Sequence, residues 1–102
     1  MSITSFEDER TEELFRTGKG IEIPVDVCSK ALQRMERLDG ASRLDYLARP
    51  AGMRLRKAPA FGLGFYRIFV KPGWWLVFCW EHPDCTHVLL VETTTRGKRR
   101  MV

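Results

Sequence analysis

The hydrophobic period of this chain changes at Pro50, and this change restricts the fold more than any other feature of the sequence. Upstream of Pro50, apolar residues recur at the three-and-four spacing of one helical face. This spacing predicts a helix that begins at Asp26, its N-cap, and ends at Asp39-Gly40. A second, shorter helix is predicted over residues 41–48, and the two helices would form an αα-hairpin. The residues that define the first helical face are Val27, Ala31, Leu32, Met35 and Leu38.

Downstream of Pro50 the apolar residues alternate with period two, as they do in β-strands. The connections between the predicted strands are short enough that successive strands must be antiparallel neighbours. The sequence therefore predicts an α+β fold, in which an N-terminal helical hairpin packs on one face of a three- or four-stranded antiparallel meander sheet. The predicted strands cover about residues 53–57, 65–71, 74–80 and 86–93.

The chain has the size of a single domain, with 102 residues of which 44% are apolar. Within residues 1–102 we distinguish a charged N-terminal segment, 1–20, interpreted as a short helix or turn, and a basic tail, 95–102. The longest apolar run, from Trp74 to Trp80, is shorter than the roughly 20 residues that a membrane span needs, and no signal peptide is recognised. Three cysteines cannot all pair with one another, so a reducing cytoplasm is the predicted location.

Charge is distributed unevenly along the chain. Residues 1–47 carry seven basic and ten acidic side chains, whereas residues 48–102 carry ten basic and three acidic ones. The C-terminal half is therefore expected to meet a polyanion such as nucleic acid. The alternative is that these cations only keep the domain soluble.

Alternation places apolar side chains on both faces of the predicted sheet. One face would pack under the helices, and its residues are Tyr66, Ile68, Val70, Trp74, Leu76, Phe78, Trp80, Val88 and Leu90. The other would carry an apolar patch beside Arg67 and Lys71, where a sheet with one solvated face should be polar. Such a patch is typical of an interface with a partner protein or a second copy of the chain, although a C-terminal segment that folds back would also cover it. The patch residues are Phe69, Trp75, Val77, Leu89 and Val91.

Four potential zinc ligands occur within nine residues, at Cys79, His82, Cys85 and His87. Structural zinc sites usually combine two well-separated pairs of ligands, and here one tight hairpin would have to aim all four side chains inward. We therefore interpret these residues as ordinary thiols and a turn histidine. No metal and no other cofactor is predicted.

Several short motifs follow one another along most of the chain in an order that is typical of one protein family. They include Leu44-Asp45-Tyr46-Leu47, Pro50-Ala51-Gly52-Met53-Arg54-Leu55 and Val88-x-Leu90-Val91. Over roughly residues 6–94, and without a gap, the chain resembles the HigB-like branch of the RelE/ParE toxins, the plasmid maintenance killer proteins of bacterial type II toxin–antitoxin systems. Further positions that carry the resemblance are Phe6, Glu12, Leu14, Phe15, Gly18, Ile23, Pro24, Ala31, Leu32, Leu38, Asp39, Tyr66, Ile68, Trp74, Phe78 and Trp80.

The resemblance implies a RelE-like fold and a small toxin that enters the ribosomal decoding site and inhibits translation. It implies cleavage of messenger RNA by a metal-independent endoribonuclease mechanism, and a cognate antitoxin of the helix-turn-helix type. Inhibition of DNA gyrase, as in the ParE branch, is an alternative within the same superfamily.

The catalytic positions of that family are largely replaced in this chain. Phe and Trp cannot neutralise a phosphate, and a threonine hydroxyl cannot exchange protons near neutral pH as an imidazole does, so impaired or altered nuclease chemistry is predicted. Only Glu92 keeps the type of its counterpart. The replaced positions are Pro59, Phe69, Trp75, Thr93 and Thr94.

Other residues are candidates to take over the lost roles. The predicted catalytic residues are Glu92, Arg67 and Arg54, which would have to converge on one face of the sheet. For the basic tail, a solvated charge run is the alternative interpretation. The predicted RNA-binding residues are Arg56, Lys57, Lys71, Arg96, Lys98, Arg99 and Arg100.

Two hypotheses from different classes follow from these residues. The first is a toxin-fold protein that acts on translation through contact with RNA or the ribosome. The second is a non-catalytic protein-binding module, whose Phe69–Trp75 surface would bind the antitoxin or a second copy of the chain.

Overall fold

The computed structural model describes residues 3–49, 51–81 and 84–93, and its architecture is α+β, with two helices followed by a four-stranded antiparallel sheet. The helices are α1 (Glu9–Thr17) and α2 (Val25–Gly40). The sheet is a meander, as predicted, because its strands lie in chain order. Within the described ranges, neither helix combines the length and apolar content that crossing a membrane requires. The strands are β1 (Arg56–Lys57), β2 (Phe65–Lys71), β3 (Trp74–Glu81) and β4 (Asp84–Glu92).

The helical pair differs from the predicted αα-hairpin. The helix that packs beside α2 is α1, which forms within the segment interpreted as a short helix or turn. The predicted second helix, residues 41–48, is wrong: only Leu44–Leu47 are helical, as one turn of 3-10 helix. This turn buries one side chain, that of Leu47, which is too little packing to stabilise an α-helix of this length.

The two helices begin in different ways. In α1 the N-cap is Asp8, whose Oδ1 accepts a hydrogen bond from the Thr11 amide at 2.9 Å. In α2 the N-cap is Pro24 rather than the predicted Asp26, which lies inside the first turn. The carbonyl of Pro24 already accepts the first helical hydrogen bond, from the Cys28 amide at 2.9 Å. Helix α2 therefore starts without a side-chain cap.

The strand bounds follow the alternation closely in the centre of the sheet and less closely at its edge. β2 has the predicted bounds, and β3 and β4 are each slightly longer at their shared hairpin. β1 is shorter than predicted because Met53 belongs to a 3-10 turn, Ala51–Met53, and Arg54 has a φ of +48°, outside the extended range.

The hydrophobic core lies between the helices and one face of the sheet. From the helices it includes Leu14, Met35 and Leu38, each with no exposed surface. Tyr66 and Trp80 are partly buried and pack against it, on the face where the alternation predicted them. The buried sheet residues of the core are Ile68, Val70, Trp74, Leu76, Phe78, Cys85, Val88 and Leu90.

A β-bulge in β4 changes the phase of its alternation. Cys85 and Val88 both enter the core although they are three residues apart, because the pairing with β3 shifts between Val77 and Cys79. His87 is the residue that takes up the shift, with a φ of +55°. The bulge turns His87 away from the core, and its side chain is exposed.

The outer edge of β4 is covered by the N-terminal segment, a pairing that no local pattern of the sequence indicates. Ile3 and Phe6 form parallel bridges with Cys85 and Val88. The Glu7 amide donates to the Val88 carbonyl at 2.8 Å, which fixes the position of the segment along the strand. A covered edge cannot pair with the edge of another sheet.

Thr11 extends this cover from the start of α1. Its side chain is fully buried, and its Oγ1 accepts a hydrogen bond from the Leu90 amide at 3.0 Å. A Thr11→Val variant keeps the shape but leaves the Leu90 amide without this acceptor, so we expect the free energy of unfolding in urea to fall by about 1–3 kcal/mol. Hydrogen exchange at the Leu90 amide should accelerate in Thr11→Val but not in Thr11→Ser, which keeps the hydroxyl. Equal exchange rates in the two variants would contradict this role.

Candidate functional site

The face of the sheet turned away from α1 and α2, here called the outer face, carries the candidate site. The strand register sets side chains on this face in two rows across the sheet: Arg56, Arg67, Val77 and Leu89 in one, and Phe69, Trp75 and Val91 in the other. All five residues predicted to form an apolar patch therefore share this face. Val77 is buried at 2% exposure, and the other four are half-buried.

Arginine side chains stack on the aromatic rings of the outer face. The Arg54 Cζ atom lies 4.6 Å from the centroid of the Phe69 ring, and the Arg67 Cζ atom lies 4.3 Å from the Trp75 ring. The two rings contact each other edge to face, with centroids 5.4 Å apart. Along this part of the sheet, positively charged groups therefore alternate with aromatic rings. In the sequence, the arginines indicate RNA binding and the aromatic residues indicate a protein interface, whereas the structure combines both on one surface.

The cations of the outer face are not neutralised by carboxylates. Among the described residues, Arg54, Arg56 and Arg67 form no ion pair, and the buried Nε of Arg67 has no hydrogen-bond partner. A buried donor without a partner is costly and is uncommon in folded proteins. The charge of these guanidinium groups is therefore available to an anionic ligand.

A second cluster of arginines around an aromatic ring differs from the outer face in that its charge is paired with a carboxylate. Arg43 and Arg49 lie over the ring of Tyr46, at 5.8 and 5.0 Å from its centroid. Both guanidinium groups also pair with Asp45, at 3.1 and 3.9 Å. This cluster has the same chemistry as the guanidinium–ring pairs, but its charge is partly compensated by its own carboxylate.

Arg34 of α2 holds the backbone next to Arg54 and at Phe69. Its Nε donates to the Phe69 carbonyl at 2.9 Å, and its Nη2 donates to the Gly52 carbonyl at 3.3 Å. Partial burial lowers the pKa of Arg34, and the nearby charge of Arg37 lowers it further. The fork of Arg34 thus ties the 3-10 turn to β2 on both sides of Arg54, whose φ of +48° is a strained conformation for a residue with a side chain.

The structure brings together only part of the predicted catalytic set. Arg54 and Arg67 share the outer face, but Glu92 does not join them. Glu92 is paired with Trp74, so its side chain leaves the sheet on the side of the helices. No acid–base group from the predicted set therefore lies beside the two arginines.

The predicted RNA-binding residues are also divided between the two sides of the sheet. Arg56 is on the outer face, opposite Arg67. Lys57 is paired with Tyr66 on the helical side. Lys71 also lies on that side, because a register shift after Phe69 places it opposite Trp74, and its Nζ lies 3.7 Å from the Asp26 Oδ2 atom. The tail residues lie outside the described residues; they are Arg96, Lys98, Arg99 and Arg100.

A comparison of the chain with protein-family models, and another with curated proteins, found no match.

A pocket at one end of the outer face was not predicted from the sequence. It has a volume of about 340 Å³ and is lined by Glu7, Phe61, Phe65, Val77, His87 and Leu89. Glu7 and His87 meet here because the N-terminal segment runs beside β4, a long-range pairing that no local pattern reveals. The periodicity of the sequence did not indicate this pocket either, because Phe61 belongs to a 3-10 turn and not to a strand.

The thiols of the Cys/His motif lie on opposite sides of the sheet. Cys79 is on the outer face with Val77, whereas Cys85 is in the core, where burial raises its pKa. The nearby Cys79 and Asp39 raise that pKa further. His82 lies outside the described residues, and in the ranges that are described no three potential ligands lie together as a metal site would require.

Proposed function

We propose that this protein binds single-stranded RNA on the outer face, and that it is a toxin-fold component of a type II toxin–antitoxin system that inhibits translation. The order of two helices and an antiparallel meander sheet is compatible with the RelE-like fold that the motifs of the sequence imply. Its partner would be a helix-turn-helix antitoxin. Its place of action would be the cytoplasm, on messenger RNA or the ribosome.

The observation that carries the proposal is the alternation of guanidinium groups and rings in the pairs Arg54–Phe69 and Arg67–Trp75. Single-stranded RNA offers two matching features, since its bases stack on aromatic side chains and its phosphates pair with arginine. Phe69 and Trp75 are half-buried, so part of each residue remains accessible to a base. The uncompensated charge of Arg54, Arg56 and Arg67 supplies the attraction for phosphates.

Binding, rather than cleavage, is the proposed means of inhibition. Metal-independent cleavage needs a base for the 2′-hydroxyl and an acid for the leaving oxygen beside the cations that stabilise the phosphorane. Glu92, the predicted acid–base residue, leaves the sheet on the other side from Arg54 and Arg67. We therefore expect expression of the protein to arrest translation. Primer extension on the translated messages should show no cuts that depend on Glu92.

A second candidate function is a protein-binding module, and one observation favours it. Phe69, Trp75, Leu89 and Val91 form a contiguous half-buried apolar surface, of the kind that protein partners cover. In that case the outer face would mediate a homodimer. A mass from light scattering that falls from dimer to monomer in a Trp75→Arg variant would favour this function over RNA binding.

The proposal is tested by measuring RNA affinity with fluorescence anisotropy over a range of salt concentrations. For single-stranded RNA of about 12 nucleotides, an Arg67→Gln variant should lose about tenfold in affinity, and the slope of log affinity against log salt should become shallower by about 0.7. Arg43→Gln is the matched control, because the Arg43 guanidinium group also stacks on a ring but pairs with Asp45. This variant should bind RNA as the wild type does.

The link to a toxin–antitoxin system has its own test. Expression of the protein in a bacterial host should arrest growth, and co-expression of a helix-turn-helix protein encoded beside it should relieve the arrest. Growth without arrest at high expression would contradict the toxin role. Equal RNA affinity of the wild type and Arg67→Gln would contradict the RNA-binding role.

A further inference from the structure

We infer that the pocket lined by Glu7 and His87 binds a guanine base of the RNA strand. This inference deepens the proposed function and rests on it. Val77 and Leu89 belong to the pocket and also to the cross-strand row that contains Arg67. A strand bound along the guanidinium–ring pairs would therefore reach the pocket directly.

The size and the aromatic walls of the pocket suit one base. Its volume of about 340 Å³ is at the lower end of the range for small-molecule sites, roughly 300–1,000 Å³. Phe61 and Phe65 are stacked with centroids 6.4 Å apart, and the His87 ring lies 5.8 Å from Phe65. Phe61 remains 46% exposed, a large apolar ring that a base would cover by stacking.

The carboxylate of Glu7 selects among the bases. A carboxylate only accepts hydrogen bonds, and it can accept two side by side. Guanine presents two adjacent donors, the N1–H and the exocyclic N2 amine, whereas adenine, cytosine and uracil place acceptors next to their donors. The carboxylate therefore pairs with guanine at both oxygens and with any other base at one.

The side chains of this pocket are held on a fixed backbone. The Glu7 amide donates to the Val88 carbonyl at 2.8 Å, and the Val88 amide donates to the Ser5 carbonyl at 3.2 Å. The His87 amide donates to the Ser5 Oγ at 2.9 Å, which supports the bulge where His87 has a φ of +55°. A strained residue supported by its surroundings is a common feature of ligand sites. The N-terminal segment and the bulge thus form one preorganised wall.

The test compares RNAs of about six uridines in which one central base is guanine, inosine or adenine, by fluorescence anisotropy. Inosine differs from guanosine only in lacking the exocyclic amine, so it removes one of the two donors. Wild-type protein should bind the guanine-containing RNA about tenfold more tightly than the inosine-containing RNA. In Glu7→Gln the ratio should fall to about one, because an amide presents a donor where guanine needs an acceptor.

The control variant is Glu36→Gln, which makes the same change of charge at an exposed residue of α2 and should keep the preference for guanine. The two proposals fail separately in this experiment. If all three RNAs bind with equal affinity and Arg67→Gln weakens all of them, the guanine inference is overturned and the RNA-binding proposal stands. If none of the RNAs binds, the RNA-binding proposal is overturned and the inference fails with it.

Discussion

A chain that carries both Phe69→Ala and Trp75→Ala should bind single-stranded RNA about 100-fold more weakly than the wild type. Stacking of one base on one aromatic ring contributes about 1–3 kcal/mol, and a factor of 100 corresponds to about 2.7 kcal/mol. The rings also support Arg54 and Arg67, whose guanidinium groups lie 4.6 and 4.3 Å from the ring centroids. Removing both rings therefore removes the stacking surface and frees the two cations to move away from their present positions.

Tyr46→Ala is the control for this double variant. Tyr46 is an exposed aromatic residue that also contacts two arginines, but Asp45 pairs with both of them. RNA affinity should therefore be unchanged in Tyr46→Ala. Circular dichroism and urea unfolding should show that the double variant remains folded, since Phe69 and Trp75 lie outside the core. A loss of less than threefold, in a variant that is folded, would contradict RNA stacking on the outer face.

An Arg34→Met variant should lower the free energy of unfolding by about 2 kcal/mol and weaken RNA binding about tenfold. Arg34 does not belong to the outer face, but it donates hydrogen bonds to the carbonyls of Phe69 and Gly52. Methionine keeps the unbranched apolar stem of the side chain and loses both donors. Arg54, which lies between these two anchors in the chain, would then lose its fixed position over the Phe69 ring.

Two further variants show whether Arg34 acts by position or by charge. Arg34→Lys keeps the charge but not the planar fork, so it should lie between the wild type and Arg34→Met in both measurements. Arg37→Met removes a neighbouring exposed charge on the same helix and should change RNA affinity by less than about twofold. Equal losses of affinity in Arg34→Met and Arg37→Met would mean that only the total charge matters, and the positioning role would be wrong.

The parts of the fold that local periodicity controls could be predicted from the sequence. In β2 and β3, Ile68, Leu76 and Phe78 are buried where the alternation placed them, because a strand has only two faces and one of them is covered. The five apolar residues of the outer face also share the predicted side. What those residues contact could not be predicted, since stacking of Arg54 on Phe69 depends on a left-handed residue after a short turn.

The errors arise where the chain leaves a regular period. The register shift after Phe69 moved Lys71 to the helical side, and alternation alone had put it on the outer face. For Glu92, alternation correctly indicates the helical side, because Glu92 is two residues from Leu90, which is in the core. Only the family resemblance suggested that Glu92 would join the arginines. The pocket at Glu7 depends on a pairing between distant segments, which no window of sequence contains.

The cover on β4 also governs when a newly made chain can complete its fold. Thr4 contacts Cys85 across 81 positions, and Thr11 contacts Leu90 across 79 positions. The early segment must wait for nearly the whole domain to leave the ribosome before it can dock, and such distant closures are slow steps in folding. A chain cut short before β4 would keep Phe69, Trp75 and Arg67 on β2 and β3 but would lack the strand that pairs with β3 along its other edge. The outer face therefore reaches its final arrangement only after the last strand of the sheet has been made.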